Sequence, residues 1–164
     1  MSIKLNVNQV MQYLPHRYPF LFVDAVDELV IGSHIIARKN VTVNEAMFNG
    51  HFPGNPVVPG VIQLEAMAQA AALLGLLGGA LLDETKSIYV AAIDDARFRK
   101  PVIPGDVMAI HVKLVRNKMG IWKFAGKVEV GGEVASEANL TATVAPRVES
   151  TLPPGLPPPP RTKG

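Results

Sequence analysis

One histidine and one glutamate stand where a fold alone has little use for them. His51 lies inside GHFPGNPVVPG, residues 50–60, where three prolines and three glycines surround a single imidazole. Proline removes backbone freedom and glycine permits close approach, so such a loop can hold the ring rigidly. Fourteen residues on, Glu65 interrupts a run rich in Ala and Leu. Burying a carboxylate without compensation costs several kcal/mol, and desolvation favours the protonated form that can act as a general acid near neutral pH. The bland alternative is a structural Glu65 paired with Gln69 one turn on, or with an arginine. Gly60 opens the run, where the free N–H groups of a helix start can receive a developing oxyanion and no Cβ stands in the way.

A base near neutral pKa, a protonatable carboxyl and an oxyanion site are the parts needed to take a proton alpha to a thioester carbonyl. With a hydroxyl on the beta carbon, Glu65 would protonate the leaving oxygen, water would depart and a 2-enoyl thioester would remain. Residue types alone do not divide the two proton transfers between His51 and Glu65. They also leave open a noncatalytic acyl-carrier or lipid-binding module, in which the two side chains satisfy each other inside a pocket.

These side chains need a helix and a sheet to position them. Residues 60–79, GVIQLEAMAQAAALLGLLGG, show no alternation and follow a proline, which predicts one long helix. It is apolar nearly all round, so it should be enclosed by a sheet or by two subunits. Its length would suffice for a membrane span, but Gln63, Glu65 and Gln69 in the first half argue against one. Period-two alternation predicts strands elsewhere. Met108, Ile110, Val112 and Leu114 share one face; Trp122, Phe124, Val128 and Val130 repeat the pattern, and so do Val134 to Val144. FLFVDAVDELV and HIIARKNV flank Gly32-Ser33 as a hairpin, SIYVAAI adds a strand, and the N-terminal MSIKLNVNQVMQYL reads as a short helix. The class is α+β, with an antiparallel sheet of five to six strands and one long helix.

Length and composition suit one compact domain: 164 residues, 48% hydrophobic and 18% charged. It should end near residue 146, because the last 19 residues hold seven of the fourteen prolines and read as a disordered tail over 147–164. There is no cysteine, hence no disulfide or thiolate metal site, and no secretory signal pattern, so a cytoplasmic location is expected. A net charge of +2 is too small to argue for nucleic acid, although residues 111–127 carry His111, Lys113, Arg116, Lys118, Lys123 and Lys127 without one acid. His16, His34, His51 and His111 are scattered without ligand spacing, and no phosphate or dinucleotide loop occurs, so no metal and no cofactor are expected.

Three segments carry a resemblance: LPHRYPFLFVDAV at 14–26, GHFPGNPVVPGVIQLEAMAQAA at 50–71 and ARFRKPVIPGD at 96–106. Over residues 5 to about 146 the chain resembles the (3R)-3-hydroxyacyl-[acyl-carrier-protein] dehydratases of bacterial type II fatty acid synthesis. The resemblance implies the hot-dog fold, a curved antiparallel sheet around one long helix, assembled as a homodimer and as a hexamer that is a trimer of dimers. It implies that His51 is the catalytic histidine, that Glu65 is the catalytic carboxylate delivered by the facing subunit, and that the Gly60 amide holds the thioester carbonyl. Gln69 falls in the motif near the acid as a candidate substrate contact. The related dehydratase that also isomerises its product carries Asp where Glu65 stands, which favours plain dehydration. The substrate would arrive on acyl carrier protein, with Arg97, Arg99 and Lys100 as candidate docking residues. His16 and Arg17 match a family signature and read as structural or entrance-lining. NEAMFNG at 44–50 departs from the pattern, lacking a proline after the Glu and carrying Met47 in place of an aromatic. A hot-dog thioesterase, which would hydrolyse the thioester, is the rival within the same fold, and the loop histidine argues against it.

Overall fold

A computed structural model describes residues 1–80, 83 and 85–148, and the expected tail therefore falls outside the described residues except for Arg147 and Val148. Among those residues seven strands form one antiparallel sheet. They are β1 (Ile3–Leu5), β2 (Ala25–Val30), β3 (His34–Asn40), β4 (Lys86–Phe98), β5 (Val107–Lys118), β6 (Ile121–Val130) and β7 (Glu133–Pro146). Their order across the sheet is β1-β2-β3-β5-β6-β7-β4. Helix α1 spans Val7–Tyr13 and helix α2 spans Gly60–Leu77.

The alternating segments become β5, β6 and β7 as expected. Met108, Ile110, Val112, Trp122, Phe124, Val128 and Leu140 are all buried on the face that packs against α2. The two hairpin turns between these strands use Met119-Gly120 and Gly131-Gly132, each with positive φ at both positions, the geometry that matches strand twist. Close helix–sheet contact depends on Gly126, where a Cβ would stand 3.0 Å from the Met67 sulfur.

Two expectations need correction. The sheet has seven strands, not five or six, because the N-terminus opens with β1 before α1 begins. Asn6 ends that strand by capping the helix reciprocally with Gln9, so the segment is strand then helix instead of helix throughout. FLFV at 20–23 joins no strand. Its backbone groups are taken instead by a side chain of α2, as described below.

Helix α2 is buried at Gln63, Leu64, Ala66, Met67, Gln69, Ala70, Ala71, Leu73 and Leu74, which places it inside the fold as a core helix. Apart from Gly60, Ile62 and Leu77 near its two ends, the positions left open run Val61, Glu65, Ala68, Ala72 and Leu76, a single stripe at helical spacing. Beside it, β4 is a 13-residue edge strand that pairs, among the described residues, with β7 alone, leaving Tyr89, Val90, Ile93 and Phe98 exposed.

Candidate active site

The loop that carries His51 is fastened at both ends. A 3₁₀ turn at Ala46–Asn49 precedes it, and the Met47 carbonyl accepts the His51 N–H at 3.1 Å. The base of that turn is an ion pair the sequence did not disclose. Lys39 Nζ lies 2.5 Å from Glu45 Oε1 and 3.6 Å from Asp24 Oδ2, with the Lys39 side chain only 10% exposed. Downstream, Val57 N–H donates to the His51 carbonyl at 3.1 Å and Val58 N–H donates to the Val102 carbonyl at 2.8 Å.

The imidazole itself is oriented by one bond. His51 Nδ1 donates to the Val57 carbonyl at 2.7 Å. A carbonyl only accepts, so the proton of the neutral ring sits on Nδ1 and Nε2 keeps its lone pair. The ring also stacks on Phe52, with centroids 3.9 Å apart. The His51–Phe52 peptide bond is cis.

His51 lines a cleft of about 560 Å³ together with Val57, Gly60, Gln63, Phe98 and Arg99. At its floor α2 begins with Pro59 as cap residue and no side-chain cap. Neither the Gly60 nor the Val61 N–H donates to an acceptor among the described residues, so the positive end of an 18-residue helix opens here. Gly60 is held against Phe98; a Cβ at position 60 would stand 2.6 Å from that ring.

Glu65 does not line this cleft. It lies on the open stripe of α2, its side chain 26% exposed, which corrects the expectation of a buried carboxylate: among the described residues of one chain, nothing fully covers that face. Its Oε1 accepts from Gln69 Nε2 at 3.0 Å and lies 3.5 Å from His16 Nε2. Gln69 is 1% exposed; its Nε2 also donates to the Phe20 carbonyl and its Oε1 accepts the Phe22 N–H, each at 2.8 Å. Both amide hydrogens are therefore taken, leaving no donor for a substrate, and Gln69 orients Glu65 while holding FLFV out of the sheet. Arg17, expected to be structural or entrance-lining, donates to the Met11, Leu14 and His16 carbonyls at the end of α1.

Of the candidate docking cations, Arg99 bonds Glu137 at 2.7 Å and Lys100 bonds Glu133 at 2.5 Å. Those hydrogen bonds hold both carboxyls below their usual range and push Arg99 higher still. Arg97 donates to the Ala96 carbonyl and forms no ion pair among the described residues. Arg99 and Lys100 stand at the rim of the His51 cleft with their charge internally compensated, whereas Arg97 lies outside its lining.

The FabA-like domain family matches residues 14–139. The 3-hydroxyacyl-[acyl-carrier-protein] dehydratase FabZ of Thiobacillus denitrificans is 55% identical over 141 residues, covering 85% of this chain and 97% of that protein. The chain belongs to the FabZ family. Among solved structures, the dehydratase heterocomplex ApeI:P from Xenorhabdus doucetiae matches with a TM-score of 0.67 at 20% identity, covering 82% of this chain and 89% of the other. A mutant of the thioesterase PA1618 from Pseudomonas aeruginosa matches at 0.64 with 10% identity, covering 87% and 95%. These likenesses establish the hot-dog fold. Because the fold accommodates both chemistries, the FabZ assignment rests on sequence identity, not on shape.

Proposed function

We propose that His51 of one subunit and Glu65 of a second carry out the dehydration of a (3R)-3-hydroxyacyl group, borne on acyl carrier protein, to the trans-2-enoyl thioester. The thioester carbonyl accepts from the free Gly60 N–H at the start of α2. Such a donor, aimed at developing charge, is worth about 3 to 4 kcal/mol in the transition state. His51 Nε2, whose lone pair is left open by the Nδ1 bond to Val57, takes the alpha proton. As the bond between the beta carbon and its oxygen breaks, Glu65 of the facing subunit protonates that oxygen and water leaves. Return of the imidazolium proton to the carboxylate, directly or through solvent, restores both groups.

The observation that carries this reading is the separation within one chain: His51, Gly60 and the cleft lie together, while Glu65, already oriented by Gln69, faces outward. A homodimer that pairs β4 edges and covers the open stripe would bring the missing carboxylate to each cleft. It would also bury the apolar side chains of a long edge strand that is otherwise a pairing hazard. A hexamer built as a trimer of such dimers and a cytoplasmic location complete the proposal.

The test is the wild-type protein mixed with a 3-hydroxybutyryl thioester on acyl carrier protein, followed by ultraviolet absorbance and mass spectrometry. The expected result is a rise in conjugated enoyl absorbance with a mass loss of one water. Release of free thiol would select thioester hydrolysis instead, and no reaction would leave only a binding role.

A further inference from the structure

Gln63 is 3% exposed, and its carboxamide makes no hydrogen bond among the described residues; the oxygen is fully buried without a partner. A carboxamide carries two donors and two acceptor sites, and leaving them unpaired away from water is costly enough that native structures seldom do it without a ligand or a water to fill the place. This one lines the His51 cleft. It stands three residues beyond Gly60, about 4.5 Å further along the helix axis and close to a full turn on. A thioester whose carbonyl sits on the Gly60 N–H has its hydroxyl-bearing carbon only two bonds away, on the acyl side.

We propose that Gln63 is a substrate-binding residue whose carboxamide hydrogen-bonds the 3-hydroxyl group of the acyl chain and holds its oxygen for elimination. This inference rests on the cleft being the dehydratase site proposed above. Because its oxygen is enclosed by the protein, the carboxamide acts through Nε2, which can donate to the hydroxyl oxygen in both the alcohol and the departing water without moving a proton itself. It also distinguishes substrate from a saturated acyl thioester, which offers nothing to bond at that depth.

The test compares wild type with Gln63→Met, which keeps length and loses polarity, and with Gln63→Leu. Two quantities are read: kcat/KM for 3-hydroxybutyryl carrier protein, and the inhibition constant of butyryl carrier protein, which lacks the hydroxyl. Loss of one neutral hydrogen bond should lower kcat/KM by roughly three- to tenfold. The butyryl inhibition constant should move less than about twofold. The thermal midpoint of Gln63→Met should hold or rise, since no protein bond is lost with the carboxamide. An unchanged kcat/KM, an equal loss of butyryl affinity, or a midpoint lowered by several degrees would each overturn the assignment, the last by revealing a structural bond. Wild-type turnover in the same assay keeps a failure of this inference separate from a failure of the dehydratase reading.

Discussion

His51→Ala is expected to lower kcat for dehydration by about 10²- to 10⁴-fold with the fold intact, and Glu65→Gln to do the same. Neither change should unfold the protein, although His51→Ala gives up the stacking of the ring on the half-exposed Phe52. His51 makes one side-chain hydrogen bond, to Val57, in a loop whose backbone is fastened independently through Met47 and Val102. A glutamine at position 65 retains an oxygen that can accept from Gln69 Nε2, so only the acid is removed. Thermal midpoints within about 2 °C of wild type, beside the kinetic loss, would separate chemistry from stability. Full rate in Glu65→Gln would remove Glu65 as the acid, and a collapsed midpoint in His51→Ala would make the histidine structural.

Gly60→Ala is expected to cost about a hundredfold in kcat/KM, although alanine is the better helix former. The new Cβ would approach Phe98 Cε1 to 2.6 Å and Cδ1 to 2.8 Å, closer than atoms tolerate, so either the ring swings across the cleft or the start of α2 shifts. Both displace the amide that is to hold the carbonyl. Phe98 is about half exposed, so Phe98→Ala should fold, and the double variant Gly60→Ala/Phe98→Ala should recover much of the loss. Steady-state kinetics on the four proteins decides this. Wild-type kcat/KM in Gly60→Ala would show that close approach at residue 60 is unimportant.

Much of this architecture could be read in advance where one periodicity dominated. The Ala/Leu run predicts a helix over residues 60–79, of which Gly60–Leu77 is helical, and strict alternation predicts β5, β6 and β7, because each of those strands buries one face against α2. The errors fell where tertiary contacts overrule local pattern. FLFV has strand composition, but Gln69 satisfies its backbone from 47 and 49 residues away. The three-residue β1 is too short to show any period. In the site, His51, Glu65 and Gly60 were conspicuous because a rigid loop, a charge in an apolar helix and a missing Cβ are local oddities. Lys39, Asp24 and Glu45 were not: each is an ordinary polar residue until the β2–β3 hairpin folds them together beneath the His51 loop. His16 became relevant only when its imidazole came within 3.5 Å of Glu65, and Gln63 only when its carboxamide proved to be without a partner.

A site built by two subunits differs from one held within a single chain in how it responds to subunit mixing. His51→Ala and Glu65→Gln chains, each nearly inactive, are unfolded together, refolded at equal concentration and assayed for dehydration. If His51 of one chain works with Glu65 of its neighbour, random pairing regenerates one intact site in each mixed dimer, and activity should return to about a quarter of wild type. If both groups act within one chain, no mixture contains an intact site, and activity that stays at the level of the separate variants would contradict the account.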